Sequence, residues 1–260
     1  VIGYLTRIWR LRHFWLALVR ADLRSRYRRS VLGVGWSLLH PIAMTIVLCT
    51  VFATIFQFDV RNYAPFVLAG LVLWNFIVAV TSGGCQCFFQ GEPYIRQHPA
   101  PLAIYPLRTT LGAGIHFLLG MVVVLLLAWG LRGFSNLPAL VSLVPTILLL
   151  FIFGWSLAVC AGVINVMFQD TQHLVEVALQ VVFYVTPIIY TASLLRDRHL
   201  AWAVGLNPLA AFLDLIRGAV LDGSFPLPQS FAVAGVTTAV AAAVAILILD
   251  RMERRIIFYL

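Results

Sequence analysis

The sequence contains no lysine, and all 18 of its basic residues are arginine. A P-loop ATPase needs a lysine that reaches the phosphates behind its glycine-rich turn, and a Schiff-base enzyme needs a lysine amine, so this chain houses neither chemistry. Any ATP consumed on its behalf is expected on another polypeptide. Charge of either sign is scarce, at 11% of 260 residues against 62% hydrophobic. The four cysteines, Cys49, Cys85, Cys87 and Cys160, show no CxxC spacing, and Cys49 and Cys160 fall inside apolar runs. That is the pattern of small buried hydrophobes, and no metal site is expected. A cleavable signal peptide is not expected either: before residue 31 the longest unbroken apolar stretch is Phe14 to Val19, shorter than an h-region and followed by Arg20.

What the chain has in abundance is long apolar runs. Six segments, at 34–57, 63–82, 109–131, 138–166, 172–192 and 229–249, lie close to or above the ~20 residues a spanning helix requires. The expected fold is an all-α integral membrane protein, one transmembrane domain over 1–260 with an interface segment at 1–33, six spans within 34–249 and a tail at 250–260. Thirteen arginines fall before the first span, in the connection between the second and third, and in the tail; five fall on the other side. The arginine bias places both termini in the cytoplasm. A net charge of +8 distributed in this way is a topology signal, and nucleic acid is not an expected partner.

Residues 199–222, HLAWAVGLNPLAAFLDLIRGAVLD, are apolar enough to suggest a seventh span, but Asp214 and Arg217 are expensive in lipid. Asn207 suits an N-cap, Pro208 the first helical position, and Gly223 a stop about four turns later. The expectation is a re-entrant helical hairpin, from about 194 to 222, on the outer side between spans five and six. Backbone that breaks at membrane depth is tolerated where protein buries it or water reaches it. Asn207, Pro208, Asp214 and Arg217 are therefore candidates for an outer gate beside a pathway.

The opening residues are amphipathic. Over 11–24, Leu11, Phe14, Trp15, Leu18 and Val19 share one side of a helix while His13, Arg20 and Arg24 share the other, as in an interfacial helix on the cytoplasmic leaflet. Asp22, Arg26 and Arg29 break the apolar side. Asp22 and Arg26 have the favourable i, i+4 order, but such a surface pair stabilises a helix by only about 0.2–0.5 kcal/mol and does not account for four arginines between 24 and 29. Two compatible readings stand: attraction to anionic lipid, and docking to a cytoplasmic partner. Gly33 and Gly35 permit the bend into the first span, Trp36 falls at headgroup level, and Pro41 favours a kink.

Four stretches, DLRSRYRRSVLGVGWSLLHP, GEPYIRQHPAPLAIYPLR, FQDTQHLVEVALQVVFYVTPIIY and LNPLAAFLDLIRGAVL, occur in this order over almost the whole chain. They resemble the permease subunit of the polysaccharide and polyol-phosphate export family of ABC transporters, which includes exporters of O-antigen, capsule and teichoic acid. The resemblance implies a homodimer in the bacterial cytoplasmic (inner) membrane, clasped by separate ATPase subunits that bind ATP and Mg, exporting a lipid-linked glycan. This chain itself would carry no cofactor. One departure is Gln169-Asp170, where the family usually has an arginine before the aspartate. On this resemblance Asp22, Arg26, Arg28, Arg29, Leu32 and Gly33 would contact the ATPase. Glu92, Pro93, Tyr94, Ile95, Arg96, Gln97 and His98 would form a coupling helix. Gly91, Pro93, Pro99, Pro101 and Pro106 leave room there for little more than one turn, around Tyr94 to His98. The alternative is a plain proline-rich turn.

His40, His116 and Glu176 are ionisable groups in or near spans, where function is the default hypothesis, although a histidine bonded to a neighbouring helix is the commoner case. Trp36, Trp74, Phe76, Trp155, Phe183, Tyr184 and Tyr190 are candidates for a sugar pathway, since sugars stack on aromatic faces; packing between helices or against lipid is the competing role. Two other functions stay open. An ABC-2 permease could serve a small amphiphile or drug. A membrane-embedded glycan-modifying enzyme would need convergent acids or a nucleophile with its base, and no such set is evident.

Overall fold

The computed structural model describes residues 2–30, 32–56, 59–97, 100–133, 136–191, 205, 207–253 and 255–260, and among them it is helical without a strand. Two short helices, α1 (Ile2–Arg10) and α2 (Arg12–Arg26), precede α3 (Trp36–Phe56), α4 (Val60–Gln97) and α5 (Ile104–Arg132). After a 3-10 turn at Leu137–Ser142 come α6 (Leu143–Met167), α7 (Thr171–Val185), α8 (Pro208–Arg217), which continues as a π-helix over Gly218–Asp222, and α9 (Pro228–Met252).

Among the described residues, five helices are long and apolar enough to cross a membrane: Gly33–Phe52, Val60–Gln97, Ile104–Arg132, Leu137–Met167 and Pro228–Met252. The predicted run at 172–192 behaves differently from the other five. Its helix, α7, has 15 residues, about 22 Å at 1.5 Å per residue, against a hydrocarbon core of about 30 Å. The cause is local. Pro187 disfavours helical backbone at the residue before it, and Thr186 duly adopts φ −82°, ψ 132°.

At the centre stands α4, whose side chains supply much of the main core. It has 38 residues, about 57 Å of helix, so it extends well beyond the predicted span at 63–82. The short separate helix expected around Tyr94 to His98 is not what forms. α4 continues unbroken through Gly91 and Pro93 to Gln97. Pro93 removes one backbone donor, and Gly91 lies against the Tyr105 ring so closely that a Cβ there would come within 2.4 Å of it.

Helices in lipid gain little from mutual apolar burial and associate through close backbone approach and interhelical hydrogen bonds. The crossing of α4 and α6 uses both. A Cβ on Gly84 would lie 2.6 Å from the Ala158 Cα, and one on Gly162 would lie 2.7 Å from the Gly84 carbonyl oxygen. One turn on, Asn165 Nδ2 donates to the Cys85 carbonyl at 2.8 Å. By contrast α3 and α9 bury little: Ile46, Val47, Val51 and Ile55 on α3, and Val236, Val240 and Leu247 on α9, are exposed.

Candidate functional site

The arginine-rich segment is docked on the bundle. Leu18 and Val19 are each 5% exposed, so α2 turns its apolar stripe toward protein, and α5 is its main neighbour. The Asp22 carboxylate receives two bonds from the Arg108 guanidinium of α5, in place of the local pairing with Arg26 that the spacing suggested. A planar guanidinium matches both carboxylate oxygens at once and fixes orientation as well as attraction. Phe14 meets Tyr94 of α4 edge to face, with centroids 5.9 Å apart. The Tyr27 hydroxyl lies 3.3 Å from His116 Nε2 of α5. His116 is thus bonded to a neighbouring segment.

Past α2 the chain turns at Arg29, whose φ is 66°, an uncommon left-handed conformation for a residue with a Cβ. A second left-handed residue follows at Gly33, φ 50°, whose N–H is accepted by Ser30 Oγ at 3.1 Å. Arg26, Arg28, Arg29 and Leu32 are left exposed on the turn. At the end of α4, Arg96 Nε donates to Glu92 Oε1 at 2.8 Å, and Pro93, Tyr94, Arg96 and Gln97 are exposed while Ile95 is buried in a second apolar cluster with Tyr105 and Leu102. His98 lies outside the described residues. The structure therefore lays α2 along α5: its start meets the second predicted coupling stretch through Phe14 and Tyr94, while the first stretch meets α5 through Asp22–Arg108 and Tyr27–His116, with Tyr27 about 20 Å of helix away from Phe14.

At the opposite end α8 begins and ends as its sequence predicts. Asn207 Oδ1 accepts the Leu209 N–H at 3.0 Å, Pro208 is the first helical residue, and Gly223, at φ 58°, closes the π-helix. The first half of the predicted hairpin, 194–204, lies outside the described residues. Asp214 is exposed; Arg217 is buried. Arg217 Nη1 donates to the Pro187 carbonyl at 2.7 Å, and Nη2 donates to the carbonyls of Ile188 at 2.9 Å and Phe66 at 3.1 Å. Its guanidinium carbon sits 3.4 Å from the Phe66 ring centroid, in the cation–π range. Asn207 Nδ2 donates to Thr186 Oγ1 at 2.8 Å, and Tyr63 donates to the Ile189 carbonyl at 2.9 Å. The carbonyls left free by the broken end of α7 are thus satisfied by α8 and α4.

The aromatic candidates separate by depth. Phe76 is 2% exposed between Phe117 and Phe151, and Trp74 is buried against Phe183. Trp155 donates to the Ala103 carbonyl at 3.3 Å and lines an apolar cavity of about 700 Å³ between α1, α5, α6 and α9. Trp36 and Tyr184 are exposed, and Tyr190 donates to the Tyr184 carbonyl at 2.6 Å. Sequence reasoning missed Arg108 as the partner of Asp22, Phe14 as the partner of Tyr94, and the amides Gln86, Asn165 and Gln172. A polar side chain inside an apolar run was the signal available for the amides.

Residues 13–221 match the family described as ABC-2 type transporter. The chain is 25% identical over 211 residues to an O-antigen export system permease protein RfbA from Klebsiella pneumoniae, covering 80% of each chain. It is 24% identical over 229 residues to the RfbA permease of Myxococcus xanthus, covering 87% of each. To the polysialic acid transport protein KpsM of Escherichia coli it is 20% identical over 210 residues, covering 80% of this chain and 81% of that one. The match extends from α2 to the end of the π-helix, through both of the ends described above, and the chain belongs to the ABC-2 type transporter family.

Proposed function

We propose that this chain is the membrane subunit of an ATP-driven exporter that moves a lipid-linked polysaccharide out across the bacterial cytoplasmic membrane. The observation that carries the reading is similarity over 80–87% of the length of relatives named for O-antigen and polysialic acid transport. Hydrolysis of ATP, with its Mg, belongs on this reading to separate ATPase subunits, consistent with a chain that has no lysine for a P-loop. Two copies of the permease form the path. Both termini face the cytoplasm, following the arginine bias, and α7 together with the non-helical residues after it makes the sixth crossing.

The exposed side chains of Arg26, Arg28, Arg29 and Leu32, and the end of α4 from Glu92 to Gln97 with His98 following it, are on this reading the two elements that dock the ATPase. Because Asp22 holds Arg108 and Phe14 touches Tyr94, a push on either element is delivered to α4 and α5 together. α8 and its connection to α7 act as the outer gate, with Asn207 and Arg217 joining the moving parts. Charge reversal, Arg26→Glu or Arg29→Glu, should weaken recovery of the ATPase with the tagged permease while leaving membrane insertion intact. Loss of insertion with normal ATPase recovery would show the segment to be only an anchor. Purified permease without its partner should hydrolyse no ATP, and hydrolysis by this chain alone would sink the reading.

A further inference from the structure

α4 is the most buried of the long helices, yet Asn75, Ala79, Ser82, Gln86 and Gln90 stay accessible along it, flanked by Val78, Thr81, Gly83 and Phe89, which are partly buried. The first five are three or four apart, so they share one face of the helix, and none of their side chains is a large hydrophobe. Beside that face runs α7. Gln172, Glu176, Gln180 and Tyr184 recur every fourth residue and form a second polar strip. Two contacts fix the antiparallel register of the pair. Gln86 donates to Gln172, and Trp74 meets Phe183 with centroids 5.4 Å apart. Ser82 is thereby set level with Glu176, and Ala79 level with Gln180. Gln172 Nε2 donates in turn to Glu176 Oε1 at 3.2 Å.

The other exposed flank of α7 is apolar, with Leu174, Val177 and Val181 each at least 60% exposed. Polar and apolar residues are thus sorted on this helix, and the polar flank is the one next to α4. The seam starts level with the α5 end that holds Arg108, since Gly83 of α4 abuts Thr109, and it runs toward the middle of the bundle at Asn75. Accessible amides and a carboxylate at that depth cannot face hydrocarbon without heavy cost, so they face water or a polar partner.

We propose that the α4–α7 seam is a wall of the translocation path, binding the hydroxyl groups of a glycan through the side chains of Ser82, Gln86, Gln172, Glu176 and Gln180. This rests on the reading of the chain as a glycan exporter. Cargo recognition is then mainly by hydrogen bonds from amides, with the buried rings of Trp74 and Phe76 holding the helices behind the wall. Amides offer a donor and an acceptor each, which suits a chain of many hydroxyls and tolerates change of register as it moves.

The test uses the permease assembled with its ATPase in inverted membrane vesicles, in an active background with Cys49, Cys85, Cys87 and Cys160 replaced. Single cysteines are placed at Ala79, Ser82 and Gln180 on the seam, and at Leu126 and Val240 on exposed apolar faces of α5 and α9. A membrane-impermeant, charged methanethiosulfonate should modify the seam positions at least about tenfold faster than the other two, because thiolate formation needs water. Equal, slow modification at all five would overturn the inference. In the same vesicles Gln86→Leu and Gln180→Leu should lower glycan export about fivefold or more, from loss of a hydrogen-bonding group, with ATPase recovery unchanged and partial rescue by Gln180→Asn. Wild-type export by both leucine variants would also overturn it. If the parent exports no glycan while the seam thiols still react, the cargo assignment falls and the water-lined seam stands; if the parent exports and the thiols do not react, the seam falls and the exporter stands.

Discussion

Arg217 offers the sharpest quantitative test of how the broken end of α7 is held. Replacing it by methionine removes the donors to three carbonyls. Phe66 lies inside α4 and keeps its helical partner, so the loss falls on Pro187 and Ile188, whose backbone is irregular. Leaving a buried acceptor unsatisfied costs about 1–3 kcal/mol, or about 2–6 kcal/mol for the pair. Part of this is offset because a buried cation no longer has to be desolvated. A net loss of about 2–4 kcal/mol is expected, equivalent to a fall in Tm of roughly 5–10 °C for a chain of this size. Gly70 supplies a control, because a Cβ there would lie 2.9 Å from Arg217 Nη2 and 3.0 Å from Ile188 Cγ2. Gly70→Ala alone should therefore displace the guanidinium and destabilise by a similar amount. The double variant Arg217→Met, Gly70→Ala should cost well under the sum of the two, since each change disrupts the same contact. Thermal unfolding of the detergent-solubilised protein, followed by loss of the monodisperse chromatographic peak, measures all three. Additive losses, or an Arg217→Met variant as stable as the parent, would refute the clamp.

Three further outcomes follow from individual contacts. Asp22→Asn should loosen α2 from α5, raising hydrogen exchange of the backbone amides across residues 12–26 by about threefold to tenfold, the range expected when a partly screened ion pair is lost; unchanged exchange would mean that apolar docking at Leu18 and Val19 suffices. Gly84→Val should abolish assembly of the α4–α6 crossing, with no folded peak on size exclusion, whereas Gly112→Ala, with nothing within 4 Å of its Cβ, should be neutral or stabilising by up to about 1 kcal/mol. Arg29→Gly should relieve the left-handed backbone and leave Tm unchanged or slightly raised, yet still reduce ATPase recovery; loss of Tm would show that the side chain has a structural partner.

Much of the layout was legible in the residues because the bilayer leaves so few solutions. Backbone groups in hydrocarbon must bond within their own segment, so long apolar runs announce helices; all six expected runs hold one, and among the described residues five are long and apolar enough to cross a membrane. α8 was legible down to its cap, its first residue and its stop, because Asn207, Pro208 and Gly223 act through local backbone geometry. The length of α4 was not. Gly91 and Pro93 read as breakers, but packing against Tyr105 carries the helix past both. The end of α7 carried a local sign in Pro187, outweighed in the sequence by the apolarity of its surroundings.

The sequence by itself determined that this is a helical membrane protein with its arginines concentrated toward one side and no lysine chemistry of its own, since those properties are sums over residues and need no partner. Tertiary structure decided the pairings: Asp22 with Arg108, 86 positions away, Arg217 with the carbonyls of Pro187 and Ile188, and Gln86 with Gln172. A charge or an amide in an apolar chain must find a partner. Which one it finds depends on which helices lie side by side, and no local pattern of residues carries that information.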